Sequence, residues 1–129
     1  MSALRVLYVD DEPDIREVAL LSMQLDPDVE CRAVECAAKA IEIVAAADWL
    51  PDLILLDVMM PIMDGPTALE KLRDLPGSAA TPVVFMTARA QSFEKERLLK
   101  LGAVAVISKP FDPMSLARQL RAIHAAATA

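Results

Sequence analysis

Five short apolar runs, spread along the chain and rich in β-branched residues, dictate most of what this sequence can fold into. They are Leu4 to Val9, Val29 to Val34, Leu53 to Leu56, Val83 to Met86 and Val104 to Ile107. Each has the length of a strand rather than a helix, and near-continuous apolar runs of this kind mark strands covered on both faces. In the second run Glu30 and Arg32 alternate with Val29, Cys31 and Ala33, the pattern of an edge strand with one wetter face. Between the runs lie helical stripes: Ile15, Val18, Leu21 and Leu25; Ala37, Ala40, Ile41 and Val44; Ala68, Leu69, Leu72 and Leu75. Leu98 with Leu101 forms a weaker fourth stripe, and Leu116, Leu120 and Ile123 a fifth.

The prolines test this division independently, because proline removes a ladder bond from a central strand and costs about 3 kcal/mol inside a helix. All nine fall at proposed junctions or first turns. Pro13 and Pro113 follow acidic residues and suit the first turn of a helix, and Pro66 opens the third helix after Gly65. Strict strand–helix alternation, five times over 129 residues, predicts an α/β fold with a parallel sheet covered on both faces. No linker, repeat or low-complexity stretch interrupts residues 1–129, which read as a single domain ending in a fraying helix from His124 to Ala129.

Charge and composition narrow the function. Thirteen Lys and Arg against nineteen Asp and Glu leave a formal charge of −6, the wrong sign for gripping a phosphate backbone, so no nucleic-acid partner is expected. No apolar run approaches the ~20 residues of a membrane span. The start, Met1-Ser2-Ala3-Leu4-Arg5, lacks the basic region and long apolar stretch of an export signal, so a cytoplasmic location is expected. Cys31 and Cys36, with His124 far away, do not make a zinc site and read as small buried hydrophobes in a reducing compartment.

In an open α/β sheet, ligands bind beyond the carboxyl ends of the strands. The residues following the apolar runs there are Asp10-Asp11-Glu12, Asp57, Thr87-Ala88 and Ser108-Lys109-Pro110. Carboxylates gathered at one edge either share a proton or hold a cation, and an all-oxygen set without His or Cys selects Mg²⁺ or Mn²⁺ over zinc. A cation, an ammonium, a hydroxyl and a carboxylate nucleophile together suit phosphoryl transfer. Each piece alone also fits a duller role: Asp10-Asp11-Glu12 as a helix cap, Asp57 as a turn residue, Lys109 as a solvated lysine. Their joint occurrence at four strand ends is what argues against those roles.

The order and spacing of these pieces resemble the receiver domain of two-component response regulators. The matching segments are Val9-Asp10-Asp11-Glu12, Pro51 through Asp57 to Gly65, Pro82 through Thr87-Ala88, and Gly102-Ala103 through Ser108-Lys109-Pro110-Phe111. The resemblance runs from about Leu4 to Ile123 and implies a flavodoxin-like, doubly wound (βα)5 fold with strand order 2-1-3-4-5. It implies that Asp57 is the phosphoacceptor, taking a phosphoryl group from a phosphohistidine on a histidine kinase or histidine phosphotransfer protein. Asp11 and Asp57 would ligate Mg²⁺ through side chains and Met59 through its carbonyl, with Asp10 holding a metal-bound water. Lys109 and Thr87 would contact phosphoryl oxygens, the Ala88 amide would supply a further donor, and the Lys109–Pro110 bond would be cis. Met59 and Arg89 would flank the path of attacking water, which predicts slow self-dephosphorylation.

Most of the family has an aromatic residue three before the lysine, whose rotamer reports phosphorylation to an output face. This chain has Val106 there, too short and too stiff at χ1 for that swing. The expected protein is a stand-alone signalling module rather than an enzyme, with output by protein–protein contact to an unidentified downstream protein or by phosphate relay. The alternative is a Mg²⁺-dependent phosphatase or hydrolase with an aspartyl nucleophile, disfavoured because the acidic pair precedes Asp57 and no cap domain is present. A nucleotide or flavin carrier is disfavoured too, since three glycines spell neither GxGxxG nor a P-loop.

Overall fold

The structure, a computed structural model, describes residues 3–129; Met1 and Ser2, part of the stretch read above for an export signal, lie outside the described residues. The elements run β1 (Leu4–Val9), α1 (Pro13–Gln24), β2 (Val29–Val34), α2 (Ala37–Ala46), β3 (Leu53–Asp57), α3 (Gly65–Arg73), β4 (Val83–Thr87), α4 (Ser92–Lys100), β5 (Ala105–Ser108) and α5 (Leu116–Ala127). The strands form one parallel sheet in the order β2-β1-β3-β4-β5, the order implied by the resemblance. β2 is an edge strand, as its alternating charges predict.

Side chains alternate across each strand and feed two cores. Leu7, Val9, Ile54, Leu56, Val83 and Phe85 point to one face and pack with α2, α3 and Leu98 of α4. Val6, Tyr8, Leu53, Leu55, Val84 and Met86 point to the other and pack with Ala19 and Met23 of α1 and Leu116 and Leu120 of α5. Every residue of β3 and β4 is buried, which is why those runs are unbroken by polar residues until their last positions.

Those last positions correct the sequence reading in detail. Asp57, Thr87 and Ser108 end their strands rather than follow them, and β5 begins at Ala105 instead of Val104. The expected α1 stripe also faces the wrong way. Val18, Leu21 and Leu25 are exposed, while Ala19, Ser22 and Met23 are buried. The small Ala19 and Ser22 let α1 lie close to the segment before α5, where the Ser22 hydroxyl donates to the Pro113 carbonyl. Pro113 belongs to that turn, not to α5, whose first residue is Leu116. The Asp112 side chain accepts the Met114 N–H at 3.0 Å and so holds a turn ahead of the helix. Leu101 is exposed just past the end of α4. α5 continues through His124 to Ala127. Cys31 and Cys36 are free and half-buried rather than buried, because both lie along or beside the edge strand.

Candidate phosphoryl and metal site

The parallel register brings the chemistry together. Val9 pairs with Leu56, Asp57 with Met86, and Thr87 with Ser108, so Asp10, Asp57, Thr87 and Lys109 arrive at the same edge of the sheet. The link from Asp57 into α3 is a tight one. The Gly65 N–H donates to the Val58 carbonyl at 2.9 Å, and a Cβ at Gly65 would sit 2.5 Å from the Asp57 carbonyl oxygen. Only glycine allows the start of α3 to approach the end of β3 this closely. Asp64 then caps α3, its side chain accepting the Thr67 N–H at 2.9 Å.

Asp10, Asp11 and Asp57 each offer a carboxylate oxygen, and these atoms lie within 4.8 Å of one another. The Lys109 ammonium lies among them, 2.9 Å from Asp10 Oδ2, 3.2 Å from Asp57 Oδ2 and 3.4 Å from Glu12 Oε1. Burial and the neighbouring Asp10 charge push the Asp57 carboxyl up to about 6, against the pull of Lys109 and the Met59 N–H. Burial acts to lower the Lys109 ammonium, but the Asp10 and Asp57 carboxylates outweigh it and hold it above its ordinary value. An oxygen cluster carrying more negative than positive charge, without nitrogen or sulfur donors, fits a hard divalent cation such as Mg²⁺.

The remaining predicted residues sit around this floor. Thr87 is buried, and its Oγ1 accepts the Arg89 N–H at 3.0 Å. The backbone N–H of Lys109 donates to the Thr87 carbonyl at 2.8 Å, and the Lys109–Pro110 bond is cis. Ala88, Arg89 and Met59 are exposed. Met59, Thr87, Arg89 and Arg97 wall an open cleft of about 750 Å³ between the β3–α3 loop and α4. Val106 is half-buried and packs against the core cluster that contains Phe85 and Leu98.

Sequence reasoning missed Tyr8. Its ring is fully buried among the apolar residues of one core, and its hydroxyl donates to Asp10 Oδ2. Burial, then that hydrogen bond, push the phenol far above its ordinary value, so it stays a protonated donor. The signal was present: residues two apart on a strand share a face, and Tyr8 and Asp10 are two apart at the end of β1. Arg16 was missed as well; its guanidinium donates to the Asp10 carbonyl at 2.8 Å and ties α1 to the site.

Comparison with known proteins gives one consistent result. The sequence profile of the response regulator receiver domain matches residues 6–121. Response regulator Rre1 of Synechocystis is 38% identical over 117 residues, covering 88% of this chain and 48% of that protein. The phosphate regulon transcriptional regulatory protein PhoB of Pseudomonas aeruginosa is 33% identical over 118 residues, covering 92% of this chain and 50% of that protein. The chain thus spans about half the length of these curated relatives. The crystal structure of Vibrio cholerae chemotaxis protein CheY4 superposes with a TM-score of 0.82 at 28% identity, covering 95% of this chain and 99% of that one. The aspartyl-nucleophile hydrolase is not favoured by these matches. Among the described residues, no helix is long and apolar enough to cross a membrane.

Proposed function

The chain belongs to the response regulator receiver domain family, whose members are phosphorylated on an aspartate, and on that premise we propose that Asp57 is its phosphoacceptor. The donor is a phosphohistidine on a histidine kinase or a histidine phosphotransfer protein. An Asp57 carboxylate oxygen attacks phosphorus, the P–N bond of the phosphohistidine breaks, and the imidazole leaves as Asp57 becomes an acyl phosphate. The observation that supports this most directly is the meeting of three carboxylates within 4.8 Å around one ammonium at the end of a fully buried strand.

Asp11, Asp57 and the Met59 carbonyl would hold Mg²⁺, with Asp10 acting on it through a water. When bound, the cation neutralises charge on the phosphoryl oxygens during transfer. Lys109 supplies a second positive charge aimed at the same oxygens, and the Thr87 hydroxyl and Ala88 N–H supply neutral donors. At the rim Met59 cannot orient a water and Arg89 can shield the phosphoryl group, so the acyl phosphate is long-lived. Val106, too short to alternate between buried and exposed rotamers, leaves output to contacts near the phosphoryl group itself, through which the domain engages a downstream protein or passes phosphate on.

The test is incubation with acetyl phosphate and Mg²⁺ followed by intact mass measurement. One phosphoryl group should appear on the wild type and none on Asp57→Asn, whose amide is not an anionic nucleophile. Undiminished labelling of the variant would move the acceptor to another residue.

A further inference from the structure

Asp10 has the most completely bonded carboxylate at the site. The residue is fully buried; its Oδ1 accepts the Glu12 N–H at 2.9 Å, and its Oδ2 accepts both the Lys109 ammonium, at 2.9 Å, and the Tyr8 hydroxyl. Three donors from three different parts of the chain leave the carboxylate little freedom to rotate. Two of them are dictated by other needs. The Glu12 N–H opens α1, and Lys109 also faces Asp57.

The Tyr8 hydroxyl has no such second purpose. Val6, which shares the Tyr8 face of β1, and Leu7 and Val9, which point to the other face, are all apolar and fully buried, and a phenylalanine ring would fill the Tyr8 position as well. Among the described residues, the only other group within bonding reach of the hydroxyl is the Met86 sulfur at 3.8 Å, a weak acceptor. A hydroxyl in a dry core carries a desolvation penalty unless it is bonded, and here the bond goes to a carboxylate that pairs with Lys109 and belongs to the three-carboxylate cluster that would hold the cation. We propose that Tyr8 is a positioning residue of the metal site, fixing Asp10 in the one orientation that serves both Lys109 and Mg²⁺.

The proposal rests on Asp10, Asp11 and Asp57 being the Mg²⁺ site, and its test separates the two ideas. Calorimetric titration of the full chain with MgCl₂ should show Tyr8→Phe binding roughly threefold more weakly than wild type, less than the loss of about tenfold or more that follows removal of a partner of a direct ligand, because Asp10 acts on the cation through a water. In an Asp10→Asn background the same change should have no further effect, because Tyr8 acts only through that carboxylate. Since the chain has one tyrosine, its ring carbon resonances provide a readout needing no variant. They should shift with the same Mg²⁺ midpoint that calorimetry gives. Unchanged affinity in Tyr8→Phe, an equal loss in both backgrounds, or a tyrosine signal unmoved at saturating Mg²⁺ would each overturn the role of Tyr8. Failure of the wild type to bind Mg²⁺, or undiminished binding by Asp11→Asn, would instead overturn the site.

Discussion

At the floor of the site Asp10, Asp57 and Thr87 are no more than 4% exposed, and both carboxylates share Lys109. At the rim, Met59 is 68% exposed, and Ile62 stands wholly in solvent at a φ of 71°. The two regions lie within one loop's length of each other and follow opposite rules. On the floor, each charge is held in place by an opposite charge, so no residue can change without disturbing the others. On the rim, a side chain is free of its neighbours, and even an unfavourable backbone angle persists. Substitutions on the floor should therefore alter stability and binding together, whereas those on the rim should separate the two.

The largest expected effect comes from Lys109→Ala. It leaves Asp10 and Asp57 facing each other in a buried position with no cation between them, and breaking a buried ion pair from one side costs about 3 kcal/mol. Thermal unfolding without metal should fall accordingly, and saturating Mg²⁺ should recover much of the loss by restoring positive charge. Wild-type unfolding of the variant in the absence of Mg²⁺ would show that the floor is not interlocked.

Asp11→Asn should give a smaller effect of the opposite sign. Asp11 lies at the boundary of the two regions, half-buried and, among the described residues, without a hydrogen-bond or ion-pair partner for its carboxylate. Removing its charge relieves repulsion with Asp10 and Asp57, so metal-free stability should rise by on the order of 0.5 kcal/mol. Mg²⁺ affinity should fall at least about tenfold if Asp11 is the direct ligand proposed above. Calorimetry and thermal unfolding on the same sample decide this. A fall in metal-free stability would place Asp11 with the interlocked floor.

The same contrast explains what was legible in the sequence. Asp10, Asp57, Thr87 and Lys109 stand out because each interrupts or ends an apolar run, and a parallel sheet carries all such ends to one edge. Tyr8 did not stand out, since an aromatic residue inside a strand reads as core until its hydroxyl is seen to reach Asp10. The orientation of α1 was hidden for a different reason. By pattern alone the face with Ile15, Val18, Leu21 and Leu25 is the more hydrophobic, yet the smaller Ala19 and Ser22 are buried with Met23, and Ser22 there meets the Pro113 carbonyl, a partner 91 residues away that no local pattern shows. Periodicity shows that a helix has an apolar side; which side is buried depends on the close packing that distant segments allow, and that is not written in the local sequence.

The smallest effect isolates the rim. A β-branched residue in the left-handed region brings its Cβ against the following carbonyl, at about 1 kcal/mol, and Ile62 offsets none of it by packing because its side chain is wholly exposed. Asparagine adopts that region with less, but not zero, penalty, so Ile62→Asn should raise stability by only roughly 0.3 kcal/mol. Mg²⁺ affinity should stay at the wild-type value, since neither the three carboxylates nor Lys109 is touched. Denaturant unfolding reads the first quantity and calorimetry the second. If Ile62→Asn instead unfolds more easily, the side chain makes a stabilising contact and the rim is not independent. If stability rises while Mg²⁺ binding weakens, the angle at Ile62 helps to aim the Met59 carbonyl, and the boundary between rim and floor must be drawn further out along the β3–α3 loop.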